Sequence, residues 1–166
     1  VRRQRQMCIR DSLTGGGTFS NRPSTYTDLN ETSLEDALIS VSTFVDDRNM
    51  VIALQGTKLI VPPQLQFVVD RLLQTPGRVS TSDNDINAIK NMGMVPEGYS
   101  VNNFLTDTDA WFLLTDCPDG FKHFERSPLS TSMEGDFDTG NVRYKARERY
   151  SFGFSNPRAV FASQGA

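Results

Sequence analysis

Cysteine and histidine are nearly missing from this chain: Cys8, Cys117 and His123 are the only three among 166 residues. Two thiols so far apart make neither a disulfide scaffold nor a thiolate metal site, and a single imidazole argues against a zinc site or a His-based triad. Apolar runs are short, and none approaches the roughly 20 residues that carry a helix across a bilayer. Phosphate-cradling loops are lacking as well, because glycines 15–17 run into Thr18, Phe19, Ser20 and Asn21 with no lysine and no strand before them. The remainder, 37% hydrophobic and 22% charged, is the composition of a globular domain. A chain of about 150 residues can bury roughly 70% of its unfolded surface.

Residues 1–12, VRRQRQMCIRDS, join the rest abruptly. The segment MCIRDS resembles the translation of a transposase adaptor used in sequencing libraries, so residues 1–12 are expected to be a disordered artefact outside the fold, and residue 13 to follow a truncation. A natural basic arm is the other reading. The segment holds four arginines and one aspartate, which turns a net charge of −3 for the whole chain into −6 for residues 13–166.

Local order begins after a Gly, Ser, Thr and Asn-rich loop over residues 13–30. Thr32 and Glu35 are spaced as a capping box, and Leu34, Ala37, Leu38, Val41, Phe44 and Val45 recur at helical spacing behind them. Such a stripe reads as core. Asp46, Asp47, Arg48 and Asn49 form a polar turn, and 50–54 is a short apolar segment. Residues 58–74, KLIVPPQLQFVVDRLLQ, then place a buried strand, a hard turn and an amphipathic helix in direct succession. Leu59, Ile60 and Val61 suit a strand covered on both faces; Pro62 and Pro63 end it and open a helix whose apolar positions are Leu65, Val68, Val69, Leu72 and Leu73. Thr75, Pro76 and Gly77 stop that helix.

Candidate metal ligands are few. Asp83 and Asp85 lack the glycine and the later glutamate of a calcium loop, and Asp107 and Asp109 have no further ligands in sequence; capping and turn formation explain both pairs. Trp111, Phe112, Leu113 and Leu114 form the most apolar strand, expected to be central. Asp116, Pro118, Asp119 and Gly120 are expected to turn it directly into a hairpin partner over 121–126, with Cys117 in the turn as a free thiol and His123 as a partly exposed sheet residue. An acidic, serine-rich connection is expected over 127–140.

Residues 141–154 alternate for about 45 Å at ~3.3 Å per residue, beyond the usual strand length. Val142, Tyr144, Ala146, Tyr150, Phe152 and Phe154 share one face, broken by Glu148, and Arg143, Lys145, Arg147 and Arg149 share the other. The cationic face admits three readings: a solvated charged surface, contact with an acidic neighbouring subunit, or contact with nucleic-acid phosphate. Asn156 and Pro157 turn the chain into a last short strand over 159–162.

The succession SLEDALISVSTFVDDRNM, LIVPPQLQFVVDRLLQ, DNDINAI, FLTDTDAWFLLTD, FERSPL and DFDTGNVRYKARERYSFGFSNPRAVFASQGA resembles the C-terminal half of a tailed-bacteriophage major capsid protein of the Hong Kong 97 type. The resemblance implies a partial α+β fold: a peripheral-domain helix within 13–57, an axial domain over 58–129, and over 130–166 a connection and return strand into the peripheral sheet. The family's N-terminal arm, extended loop and spine helix would lie upstream. It implies a structural subunit that assembles with copies of itself into pentamers and hexamers around packaged DNA. Scaffold and portal proteins are further partners, and no membrane, cofactor, metal or catalytic residue is implied. Arg143, Lys145, Arg147 and Arg149 are the candidate subunit-interface residues. Three other readings stand beside it: an encapsulin-like compartment shell of the same fold, a nucleic-acid-binding module using the strand over 141–154, and a hydrolase holding a divalent ion on the Asp83/Asp85 and Asp107/Asp109 pairs.

Overall fold

Two helices lie on one face of a four-stranded sheet, and a long two-stranded ribbon leaves that body. The structure is a computed structural model that describes residues 10–12, 18–78, 85–135 and 140–165. Glycines 15–17 and Asp83 fall outside the described residues, as do residues 1–9. Strand β1 (Arg10–Ser12) pairs antiparallel with β2 (Thr18–Ser20), so the part of the 1–12 segment that is described is strand, not disorder.

Helix α1 spans Glu31–Ser42, and its cap differs from the expected Thr32/Glu35 pair. Asn30 Oδ1 accepts from the Ser33 amide at 2.8 Å, and Ser33 Oγ accepts from the Asn30 amide at 2.9 Å. Asparagine is at least as good an N-cap as threonine, and starting the helix there sets Leu29 and Leu34 at the two positions of a hydrophobic staple, both in the core. The helix stops at Ser42, before Phe44 and Val45, because the next residues turn around Asp46. Its Oδ1 accepts from the amides of Arg48 at 2.7 Å and Met50 at 2.9 Å, and Asn49 sits at φ 65°. The 50–54 segment is correspondingly not a strand. Met50, Val51 and Ile52 are exposed, and only Leu54 is buried.

Strand β3 (Gly56–Val61) ends at Pro62, and a 3-10 turn over Pro63–Leu65 leads into α2 (Gln66–Gln74). The proline pair acts as the sequence indicates: one lacks the ladder N–H, and the other supplies a pre-set φ at the first helical position. A one-turn helix α3 (Ala88–Asn91) follows. Buried Asn87 ties it to α2, donating to the carbonyls of Leu72 at 2.6 Å and Thr75 at 3.1 Å while its own oxygen caps the Lys90 amide.

The sheet runs β4 (Tyr99–Val101), β3, β5 (Trp111–Thr115), β8 (Val160–Ser163), with β3–β4 parallel and the other pairs antiparallel. Leu59, Val61, Trp111, Leu113 and Phe161 face the helices and join Leu34, Leu38, Val41, Val69 and Leu72 in one core. Phe112, Val160 and Ala162 form a smaller cluster on the opposite face with half-buried Ile60 and Leu114. The four apolar residues Trp111 to Leu114 do form a central strand. It does not form a hairpin with the next one, because both of its edges are occupied, by β3 and β8. One core therefore draws on segments 13–57, 58–129 and 130–166 together.

The ribbon consists of β6 (Phe121–Gly135) and β7 (Val142–Phe154). Most of the expected 127–140 connection is thus strand, with Ser127, Ser130, Thr131 and Ser132 paired to Arg149, Arg147, Ala146 and Lys145. Gly120 marks the exit from the body: a Cβ there would lie 2.3 Å from that of Ala159.

Two outcomes test this description. Gly120→Ala forces apart the start of the ribbon and the turn before β8, and should lower unfolding free energy by about 1–3 kcal/mol in denaturant titrations. The Asp46 carboxyl is held below the usual carboxylate range, first by the Met50 amide and then, against a smaller opposing burial effect, by the Arg48 amide and the Arg48 and Arg158 charges. A lowered folded-state pKa contributes stability that is complete above about pH 4 and fades as pH falls through the folded value. The protection of the Met50 amide, relative to its intrinsic exchange rate, should fall in that acid window in the native protein and stay low throughout in Asp46→Ala.

Candidate functional site on an exposed two-stranded arm

Alternation along β7 and its register with β6 decide what this arm presents. Partners run from Phe121 opposite Phe154 to Gly135 opposite Val142, and β6 carries extra residues between Glu125 and Ser127 and between Ser127 and Ser130. Directly paired residues project to the same side. One face therefore gathers Phe121, Phe154, His123, Phe152 and Tyr150 near the body, and Ala146, Met133, Tyr144 and Val142 toward the tip. The other gathers Arg149 opposite Ser127, Arg147 opposite Ser130, Lys145 opposite Ser132 and Arg143 opposite Glu134. All four cations expected as interface residues share one face.

Neither face is covered. Tyr144 is 82% and Phe152 73% exposed, and among the arm's strand residues only Lys122, Ser127 and Gly153 are even half-buried. His123 stacks on Phe152 with ring centroids 4.9 Å apart and meets the edge of Tyr150 at 5.5 Å. It is part of the aromatic surface. Ion pairs join Arg78 to Glu31, Lys122 to Asp119 and Arg158 to Asp47, and Lys145, Arg147 and Arg149 take part in none of these.

At the root of the arm stands Arg158, which the sequence reading passed over in the run Asn156, Pro157, Arg158. It is 8% exposed. Nε donates to the Val45 carbonyl at 2.7 Å, a terminal nitrogen pairs with Asp47 at 3.0 Å, and the guanidinium lies 4.9 Å from the centroid of the Phe19 ring. Its own carbonyl accepts from Thr115 Oγ1 at 2.8 Å. A guanidinium with five donors can bind several elements at once, and a run of arginines on the preceding strand hid this one from pattern reading.

Other chemistry is poorly served. The Asp109 amide donates to Asp107 Oδ1 at 3.3 Å, a turn geometry, and among the described residues no three of His, Cys, Asp and Glu gather to hold a metal. Burial pushes the Cys117 thiol up, away from the reactive thiolate, with Asp116 and Asp119 adding to the effect and Arg158 opposing it. A groove of about 410 Å³ beside α1, lined by Thr25, Asn30, Ser33, Asp36, Trp111 and Phe161, brings no acid and base pair together.

The profile of a family described as phage capsid protein matches residues 9–163. No curated protein matches the chain. Among solved structures, that of a virus-like particle from Pyrococcus furiosus aligns at 12% identity and a TM-score of 0.48, over 86% of this chain and 55% of the other. The chain thus spans about half the length of the shell protein it aligns with.

Arg158→Met keeps the stem and removes the donors, leaving the half-buried Val45 carbonyl without the Arg158 donor. Unfolding free energy should fall by about 1–3 kcal/mol, and amides of residues 45–47 should lose protection before those of β5.

Proposed function

We propose that this chain, which belongs to the phage capsid protein family, is a shell-forming structural subunit whose arm is completed by neighbouring copies. One observation carries the reading: a two-stranded ribbon with one aromatic face leaves the body, and none of the described residues covers it. An isolated two-stranded ribbon is marginally stable in water, and an exposed apolar surface of this kind marks an interface. Burying that face against another copy supplies the packing that the single chain lacks.

In the finer form of the proposal, the assembly is the icosahedral head of a tailed bacteriophage, of the Hong Kong 97 type, built in the host cytoplasm from pentamers and hexamers around packaged DNA. Portal and scaffold proteins would be its further partners, and the chain carries out no reaction. We assign the sheet with α1 and α2 to the axial unit and the arm to the peripheral one. This division departs from 58–129 and 130–166 because β8 rejoins the sheet and α1 lies on it. The support is physical: segments that share a core move together.

Negative-stain electron microscopy of the full chain tests the reading. Rings or closed shells are expected, with nuclease-protected DNA in shells made in cells; empty shells would favour a compartment over a phage head. A monodisperse monomer at every concentration and salt would overturn both. Tyr144→Ser and Phe152→Ser should each weaken association by about 2 kcal/mol while leaving the thermal midpoint of the dilute protein unchanged, since neither side chain contributes to the core.

A further inference from the structure

The cationic face of the arm raises a question separate from the aromatic one: which surface meets it. Outside the arm, residues 13–120 and 155–166 hold fourteen carboxylates against seven lysines and arginines, a net −7. The distribution is uneven. Residues 23–47 carry Asp28, Glu31, Glu35, Asp36, Asp46 and Asp47 with no lysine or arginine among them. Within that stretch Asp47 is engaged by Arg158, and Glu31 by Arg78 at 2.9 Å. The same Arg78 lies in the field of Glu35 and Asp85 as well, so three carboxylates share its one charge. The flank of α1 is thereby left acidic.

Beside that flank runs a groove of about 230 Å³ between α1 and α3, lined by Leu38, Ile39, Ile89, Met92 and Met94 and rimmed by Glu35. Ile39 and Met92 are more than half exposed. An apolar groove with a carboxylate rim fits long basic side chains, whose aliphatic stems cover apolar surface while the heads stay at the charged edge.

We propose that the cationic face of β7, through Lys145, Arg147 and Arg149, docks on the α1 flank of a second copy of this chain, stems over the α1–α3 groove and heads on Glu35 at its rim and on Asp36 on the adjoining face of α1. The inference rests on the self-assembly reading and gives that assembly its polarity: arm of one copy, body of the next, a heterologous contact that closes into rings. Nucleic acid is the competing partner for such a ladder. The net −7 of the body repels a phosphate chain, whereas it attracts the arm of another copy.

Sedimentation velocity on four samples of the full chain tests the pairing: wild type, K145E/R147E, E35K/D36K, and an equimolar mixture of the two variants. Wild type should associate more weakly as salt rises, and each variant alone should need about tenfold more protein to associate. The mixture, in which each reversed surface finds its complement, should return to the wild-type range. Because rescue occurs only between folded chains, it separates a broken contact from a broken fold. Wild-type association by K145E/R147E, or a mixture no better than its components, overturns the inference and leaves the shell reading standing. Association unchanged by K145E/R147E but with salt-sensitive retention of a duplex DNA probe abolished assigns the ladder to nucleic acid and overturns it. A wild type monomeric throughout overturns the inference and the shell reading together.

Discussion

The buried guanidinium of Arg158 fixes the place where arm and body meet, and much of the rest depends on that junction. It stands four residues after β7 ends and two before β8 begins, at the point where the chain leaves an exposed ribbon and enters a filled core. One planar cation reaches the turn at Val45 and Asp47 and the ring of Phe19, while its backbone is held by Thr115 of β5. Nearby, the Ser155 amide donates to the Gly120 carbonyl at 3.0 Å, closing the two ends of the arm on each other. The arm is thus anchored firmly at one end and unsupported along its length. Load applied to it by a neighbour would be delivered to the central strand of the sheet.

The body could largely be read from the sequence, because its signals are local. The proline pair after β3, the stripe of α2 and the apolar run of β5 each act within a few residues, and each folds as its pattern indicates. Where the reading departed, a competing choice lay close by in energy: Asn30 outranked Thr32 as a cap, and the Asp46 turn ended α1 early. The partners of β5 could not be read, since its two edges are taken by β3 and β8, segments some 46 or more residues away in sequence. The serine-rich half of β6 was taken for a connection because its residues are polar on both sides; its strand character comes from the ladder with β7, a non-local cause.

For the candidate site the position reverses. Alternation placed the four cations on one face of β7 without any knowledge of the fold, and the register with β6 places them together. Alternation did not reveal that the aromatic face would also be bare. A strand of that pattern is ordinarily taken to lie on its own core, whereas here no described residue packs on that face. Arg158, by contrast, carried no periodic signal, and only its burial sets it apart from the arginines before it.

The central claim is that another copy completes the arm, and amide hydrogen exchange on the full chain, followed by mass spectrometry across a range of protein concentrations, addresses it most directly. The account predicts fast exchange over 121–135 and 142–154 in the dilute protein and strong protection once particles form, while β3 and β5 stay protected at both extremes. Arm protection that is the same at every concentration, whether high or low, would contradict it.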